Sequence, residues 1–122
     1  MSTRFVQLLD TLRTSYDLLY AIIGSTDGQI IAVSGDQDAL PWTGLTTSLF
    51  GDPEAISRLN YSLTGQLLPQ AFSQGDLFCF VHKPHEAYVV GLFGRGHVAV
   101  VERYVLGKQI AAALEVAWNA TE

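Results

Sequence analysis

The hydrophobic pattern at the start of the chain has the period of a helix. Apolar side chains recur three and four residues apart, whereas charged and amide side chains fall mostly between them. This spacing places the apolar residues on one face, which predicts an amphipathic helix over Ser2–Tyr16 with Ser2 or Thr3 as its N-cap. The residues of the apolar face are Phe5, Leu8, Leu9, Leu12 and Tyr16.

Two short apolar runs follow, and the residues between them favour a tight turn. Leu18–Ile23 and Gln29–Val33 have the length and composition of strands. The segment Ser25–Gly28 separates them, and its Asp-Gly pair supplies the positive φ that hairpin turns require. The pattern therefore predicts a β-hairpin.

A second helical region has two start signals. Asp38 is suited to cap a helix over about Ala39–Phe50. The proline at position 41 would lie in the first turn of that helix, where proline is tolerated. Gly51 interrupts that helix, and the Asp-Pro-Glu sequence at 52–54 restarts it, with Asp as N-cap, as far as about Tyr61. The central helix is therefore predicted to be split or kinked.

Three further β segments precede the last helix. Strands are predicted at Gln66–Phe72, Leu77–His82 and Ala87–Phe93, with turns at Ser73–Asp76 and Lys83–His85.

The last predicted helix, Val98–Trp118, is apolar on two sides. Such a helix is expected to pack on two sides, here against the sheet and the first helix. One stripe comprises Leu106, Ile110, Ala113, Leu114 and Ala117, and the other Val98, Val101, Val105, Ala112 and Val116.

This order of elements, α-β-β-α-β-β-β-α, predicts an α+β fold made of one domain over residues 1–122. Short strands joined by hairpins form a five-stranded antiparallel sheet, whose apolar faces helices must cover. The first and last helices are expected to pair on one face and the central helix to cover the other. A single helix cannot cover the whole of its sheet face, so a partner is expected to bind the uncovered part.

Composition narrows the function. Hydrophobic residues make up 48% of the 122 positions and charged residues 16%, so some apolar surface is expected to meet a partner. The net charge is −5, and the seven basic residues form no run. Nucleic acids and anionic membranes bind clustered Lys and Arg, so neither is an expected partner.

The single cysteine, Cys79, indicates a reducing compartment because it cannot form an internal disulfide. The N-terminal segment lacks the uninterrupted apolar stretch of a signal peptide, and no run is apolar and long enough to span a bilayer. The expected location is the cytoplasm.

With these elements in place, the chain resembles the roadblock/LC7 (dynein light chain 7) family over nearly its whole length. The resemblance rests on the order of elements, on the hairpin Tyr20–Gly35, and on the meander from Leu77–Val81 to Tyr88–Phe93. It implies a homodimer joined through the central helices and third strands, forming one continuous sheet. It also implies a Ras-like small GTPase as partner, either regulated or scaffolded, without an inserted arginine finger.

The chain differs from the family pattern at two points on that dimer surface. Gly51 and Pro53 interrupt a helix that is usually continuous, and Pro69 falls within the predicted third strand. Proline donates no hydrogen bond and is typical of a guarded sheet edge.

Few residues suggest catalysis or metal binding. His82, His85 and Glu86 are possible zinc ligands, but no Cys pair completes a set, and a solvated hairpin end is favoured. Arg95 stands between two glycines, as an arginine finger would, yet those glycines equally serve a turn. Cys79 alternates within an apolar strand and is expected to be packed. No nucleophile motif is present, so no catalytic residue, cofactor or metal is predicted.

The candidate interface is the apolar set on the central helices and the start of the third strand. Some of these residues must be core, but Trp and Tyr dominate the energetics of interfaces. The predicted interface residues are Leu40, Trp42, Leu45, Leu49, Phe50, Ile56, Leu59, Tyr61, Leu67 and Leu68.

Two other functions stay open. A small-molecule sensor of the PAS, GAF or profilin-like layout would need an internal pocket. Bulky interior positions favour a filled core instead: Ile22, Ile30, Leu77, Phe78, Val89 and Val90. A structural adaptor without a GTPase partner cannot be separated from the regulator on this basis.

Overall fold

The computed structural model describes residues 3–41, 44–96 and 100–121. Its five strands form one antiparallel sheet in the order β2-β1-β5-β4-β3, which confirms the predicted α+β fold and its order of elements. The elements are α1 (Thr3–Ser15), β1 (Tyr20–Ser25), β2 (Ile30–Gly35), a 3₁₀ turn (Gln37–Ala39), α2 (Gly44–Phe50), α3 (Pro53–Ser62), β3 (Gln70–Gln74), β4 (Leu77–His85), β5 (Tyr88–Arg95) and α4 (Val100–Thr121).

Helices cover both faces of the sheet, and β4 shows how the sequence divides between them. Phe78 and Phe80 pack into the core beneath α1 and α4, whereas Leu77, Cys79 and Val81 pack into the core beneath α2 and α3. Alternate side chains of a strand point to opposite faces, so an unbroken apolar run supplies both cores.

Aromatic contacts fasten the two terminal helices to each other and to the sheet. The Phe5 and Trp118 rings stack with centroids 4.7 Å apart, and Tyr88 of β5 lies 5.1 Å from Trp118. Trp118 is almost fully buried.

The first hairpin forms around Gly28, whose φ of +97° confirms the predicted turn. The Ser25 amide donates to the Gln29 carbonyl at 2.8 Å. Both strands run about two residues later than predicted, because the Leu18 amide still donates to the Arg13 carbonyl after α1 ends. Ile30, expected in the interior, is 43% exposed because β2 is an edge strand.

The predicted start of the central helix at Ala39 is wrong, whereas α2 confirms a helix over Gly44–Phe50. Leu40 is extended (φ −71°, ψ 134°), because the following Pro41 disfavours helical backbone in the residue before it. Asp36, not Asp38, is the N-cap, and it accepts a hydrogen bond from the Asp38 amide within the 3₁₀ turn. The described part of the helix is Gly44–Phe50, and Trp42 lies outside the described residues.

The second half agrees with the sequence. Asp52 caps α3 by accepting a hydrogen bond from the Ala55 amide at 2.7 Å, with Pro53 as the first helical residue. The central helix is therefore split, as predicted, into α2 and α3.

The predicted bounds of the third strand are wrong at its start. β3 begins at Gln70 rather than Gln66, so Pro69 precedes the strand instead of interrupting it. A proline there removes no hydrogen bond from the ladder with β4. Among the described strands β3 pairs only with β4, and its other edge is open.

The turn predicted at Lys83–His85 is also wrong. These residues continue β4, and the chain reverses at Glu86 and Ala87. The pairing register shifts between His82 and His85, which places Pro84 in an irregularity where no ladder hydrogen bond is needed.

The two stripes of α4 have different surroundings. Ile110 and Leu114 of the first stripe are fully buried against α1 and the sheet. Val101, Val105 and Val116 of the second are exposed, so the expectation that both stripes pack within one chain is wrong. Because α4 lies on the sheet, only one of its sides faces the sheet. The neighbouring α1 covers a further narrow strip of α4 and leaves the second stripe exposed.

Candidate protein-binding surface

The structure divides the predicted interface residues into core and surface. Within the single chain, Tyr61 is 82% exposed and Leu67 is 89% exposed, while Leu45 and Leu68 are partly buried. Exposed large apolar side chains are the ones a partner can bury. The remaining described members are buried in the core: Leu40, Leu49, Phe50, Ile56 and Leu59.

The open edge of β3 and the segment before it form the candidate surface, which we define as Tyr61, Leu67, Leu68, Ala71 and Ser73. Ala71 and Ser73 are exposed on the strand itself. An unpaired strand edge presents backbone N–H and C=O groups that can pair with another strand. The surface thus combines backbone hydrogen-bonding groups with apolar side chains.

Side-chain hydrogen bonds hold this surface to the central helices. The Gln74 Oε1 atom in β3 accepts from the Leu45 amide in the first turn of α2, at 2.9 Å. The Lys83 ammonium in β4 donates to the Asn60 side chain in α3. Both helices are therefore fixed relative to the β3 edge, although the sequence pattern did not reveal either contact.

Leu67 and Leu68 also border a small cavity beside α4. The cavity measures about 150 Å³, and Phe80 and Tyr104 contribute to its wall. Its size suits a single apolar side chain rather than an extended ligand.

The residues considered for metal binding or catalysis make ordinary contacts. The His82 Nε2 atom lies 2.9 Å from a Glu115 carboxylate oxygen, and His85 accepts from the Ala87 amide. Arg95 pairs with Asp76 at 2.7 Å. Within the described ranges, no group of three or more His, Cys, Asp or Glu side chains is placed to hold a metal ion.

Cys79 is fully buried, and burial raises the pKa of its thiol well above the ordinary value. In the unfolded chain the thiol ionises from about pH 8.5. Above that pH the folded protein holds one more proton than the unfolded chain. The contribution of this thiol to the free energy of unfolding is therefore complete below that pH and is lost as the pH rises.

We expect the free energy of unfolding to fall above pH 8.5, by up to about 1.4 kcal/mol per pH unit from this group. Urea titrations of wild type and Cys79→Ala from neutral to alkaline pH measure the effect. Both chains keep Tyr20, whose phenol pKa burial also raises, so the difference between them isolates the thiol. Identical pH slopes would contradict the prediction.

The described helices include none that has the length and apolar character needed to cross a membrane.

The sheet order and the paired terminal helices define the class of fold, which is that of roadblock/LC7 domains. No protein-family model matches the chain, and no curated protein sequence matches it.

Solved structures of low sequence identity share the fold along almost the entire chain. Myxococcus xanthus MglB has a TM-score of 0.62 at 13% identity, covering 97% of both chains. An MglB with tetrameric arrangement has a TM-score of 0.63 at 15% identity, covering 100% of this chain and 95% of that one. A Roadblock/LC7 domain from Streptomyces avermitilis has a TM-score of 0.57 at 18% identity, covering 95% of this chain and 99% of its own.

Proposed function

We propose that this protein is a non-catalytic interaction module that forms a homodimer and regulates or scaffolds a Ras-like small GTPase in the cytoplasm. The open β3 edge, together with the exposed Tyr61 and Leu67 in the part of the chain that leads into β3, is the observation that supports it. The roadblock/LC7 fold, shared with MglB proteins, supports the choice of partner.

In the dimer, β3 of each copy pairs with β3 of the other about a two-fold axis. A two-fold interface is self-complementary, so one strand edge serves both copies. Antiparallel pairing satisfies the free backbone groups of both edges and makes one continuous ten-stranded sheet. The side chains of Tyr61 and Leu67 then lose their exposure to water, which supplies the hydrophobic part of the binding free energy.

The two copies of α2 and α3 lie on the same face of that continuous sheet. Together they form a platform wider than a single domain offers, and the GTPase binds there. The core residues Leu40, Leu49, Phe50, Ile56 and Leu59 support this platform from beneath, and Trp42 belongs to the proposed interface.

The test is the solution mass by light scattering, with and without a Ras-like GTPase encoded nearby and loaded with GDP or a GTP analogue. Binding selective for the GTP form supports the regulator. A chain that binds neither form contradicts the proposed partner and favours an adaptor or sensor role.

We expect Leu67→Asp to weaken the β3-edge dimer at least about tenfold, because a charge at a desolvated contact costs well over 1.4 kcal/mol. The dissociation constant is measured by sedimentation on dilution. Ile30→Asp, at the opposite edge of the sheet, is the matched control and should leave it unchanged. Equal dimer strength in wild type and Leu67→Asp would exclude this edge as the interface.

A further inference from the structure

One face of α4 is apolar and is left exposed by the described part of the chain. We call the set Val101, Val105, Ala112, Val116 and Ala120 the outer face of α4. Val101 is 74% exposed and Val116 is 71% exposed, and both alanines are also exposed. At 1.5 Å per residue this stripe is about 28 Å long, much longer than a chance patch of one or two side chains.

The two halves of this face differ in relief. The N-terminal half carries three large exposed apolar side chains, Val101, Tyr104 and Val105, which form a ridge, whereas the C-terminal half carries one, Val116. The C-terminal half borders a shallow trough between α4 and the end of α1. Its lining is mainly small and apolar: Tyr16, Gln109, Ala112, Ala113, Val116, Ala117 and Ala120.

A ridge at one end and a trough at the other fit each other when two identical helices lie antiparallel. The N-terminal half of each helix then faces the C-terminal half of the other. The ridge of each copy therefore packs into the trough of the other copy, which gives two equivalent contacts. The small side chain of Ala112 lies near the middle and allows the two helices to approach closely. A parallel pair would instead oppose ridge to ridge.

The charges along one flank of the stripe agree with the same arrangement. At 100° per residue, Lys108 and Glu115 project on the same side of the outer face. A two-fold axis passing between residues 111 and 112 places Lys108 opposite Glu115 of the second copy, and the reverse. The same axis places Tyr104 opposite Asn119, two groups that can form a hydrogen bond.

Both charged groups are available to a second copy. Glu115 contacts His82 through one oxygen, and its side chain remains 46% exposed. Lys108 is exposed, with its ammonium over the Tyr104 ring at 4.8 Å. Charge pairs at the rim of an apolar contact select the register and the direction of association.

We propose that the outer face of α4 binds the outer face of α4 of a second copy of this chain as an antiparallel helix pair. This interface goes beyond the proposed function and uses a different element from the β3 edge, although the two surfaces adjoin at the cavity that Leu67 shares with Tyr104 and Lys108. A chain that uses both interfaces assembles into pairs of dimers.

The primary test compares solution masses of wild type, Tyr61→Asp, Val116→Asp and the double variant over a wide concentration series. Tyr61 belongs to the β3-edge surface and does not line the cavity beside α4, so Tyr61→Asp weakens the proposed β3-edge contact alone and its remaining dimer must use another surface. We expect that dimer to dissociate into single 13.3 kDa chains when Val116→Asp is added. Because Val116 is exposed, the substitution should leave the circular dichroism spectrum unchanged.

The outcomes separate the two proposals. If Val116→Asp has the mass of wild type at every concentration, or if Tyr61→Asp alone is always monomeric, the α4 interface is overturned. If Val116→Asp lowers the mass and Tyr61→Asp does not, the α4 interface stands and the β3-edge dimer fails.

A charge exchange tests the register. Lys108→Glu is expected to weaken α4 association at least about threefold, because the two-fold axis turns two attractive rim pairs into two repulsive ones. Adding Glu115→Lys to it should restore the affinity, because the opposite charges face each other again. Failure of the double variant to recover would overturn this antiparallel register.

Discussion

Replacing Trp118 with alanine is expected to lower the free energy of unfolding by about 3–5 kcal/mol. The indole is almost fully buried, stacks on Phe5 at 4.7 Å and contacts Tyr88. Its removal leaves a cavity where α1, α4 and β5 meet, and the neighbouring rings lose their contacts. Urea unfolding followed by far-ultraviolet circular dichroism, at one protein concentration, measures the change.

Trp118→Phe provides the matched control. A phenyl ring keeps part of the stack on Phe5 and leaves a smaller cavity, so we expect a loss well below that of alanine. If the alanine variant is destabilised by less than about 1 kcal/mol, Trp118 does not join the terminal helices to the sheet as the structure indicates. Because loss of this contact frees α4, the variant should also weaken association through its outer face.

The helix periods and the local caps explain why much of the fold could be predicted from the sequence. The α1 face, the Asp-Gly turn and the Asp52 cap are each set by residues within a few positions of one another. The alternation along β4 likewise needs only the two-residue period of a strand. Local chemistry therefore specified the order of elements and the fold class.

The errors fall where a distant contact or a neighbouring proline decides the outcome. Pro41 keeps Leu40 extended, so the helix does not start at Ala39 as predicted. β3 starts after Pro69 because its bounds follow the ladder with β4, which sequence spacing does not reveal. Pro84 was assigned to a turn, although an irregular pairing between β4 and β5 accommodates it within the strand.

The candidate site was harder to predict because apolar character alone does not separate core from interface. Ile56 and Tyr61 belong to the same short helix, yet the first is fully buried and the second is 82% exposed. Only the position of the sheet beneath α3 decides which side chain faces water. The sequence likewise could not show that the outer face of α4 is exposed, because its valines are as apolar as residues in the core.

Replacing Gly28 with alanine is expected to lower the free energy of unfolding by about 2–4 kcal/mol, for two reasons that add. With φ at +97°, an L-residue at this position is strained. In addition, a Cβ atom at position 28 would lie 2.8 Å from the Cα atom of Pro53, and that backbone cannot rotate away. The hairpin turn must then separate from the start of α3.

Gly65 offers a control that isolates the second cause. Its φ is +75°, but a Cβ atom there would meet nothing within 4 Å. Gly65→Ala is therefore expected to cost only about 1 kcal/mol, from backbone strain alone. Equal losses in the two variants, measured by urea unfolding, would show that the contact between the turn and Pro53 contributes nothing. A larger loss at Gly28 would mean that the first hairpin sets the position of α3, and through it the direction in which Tyr61 is presented to a partner.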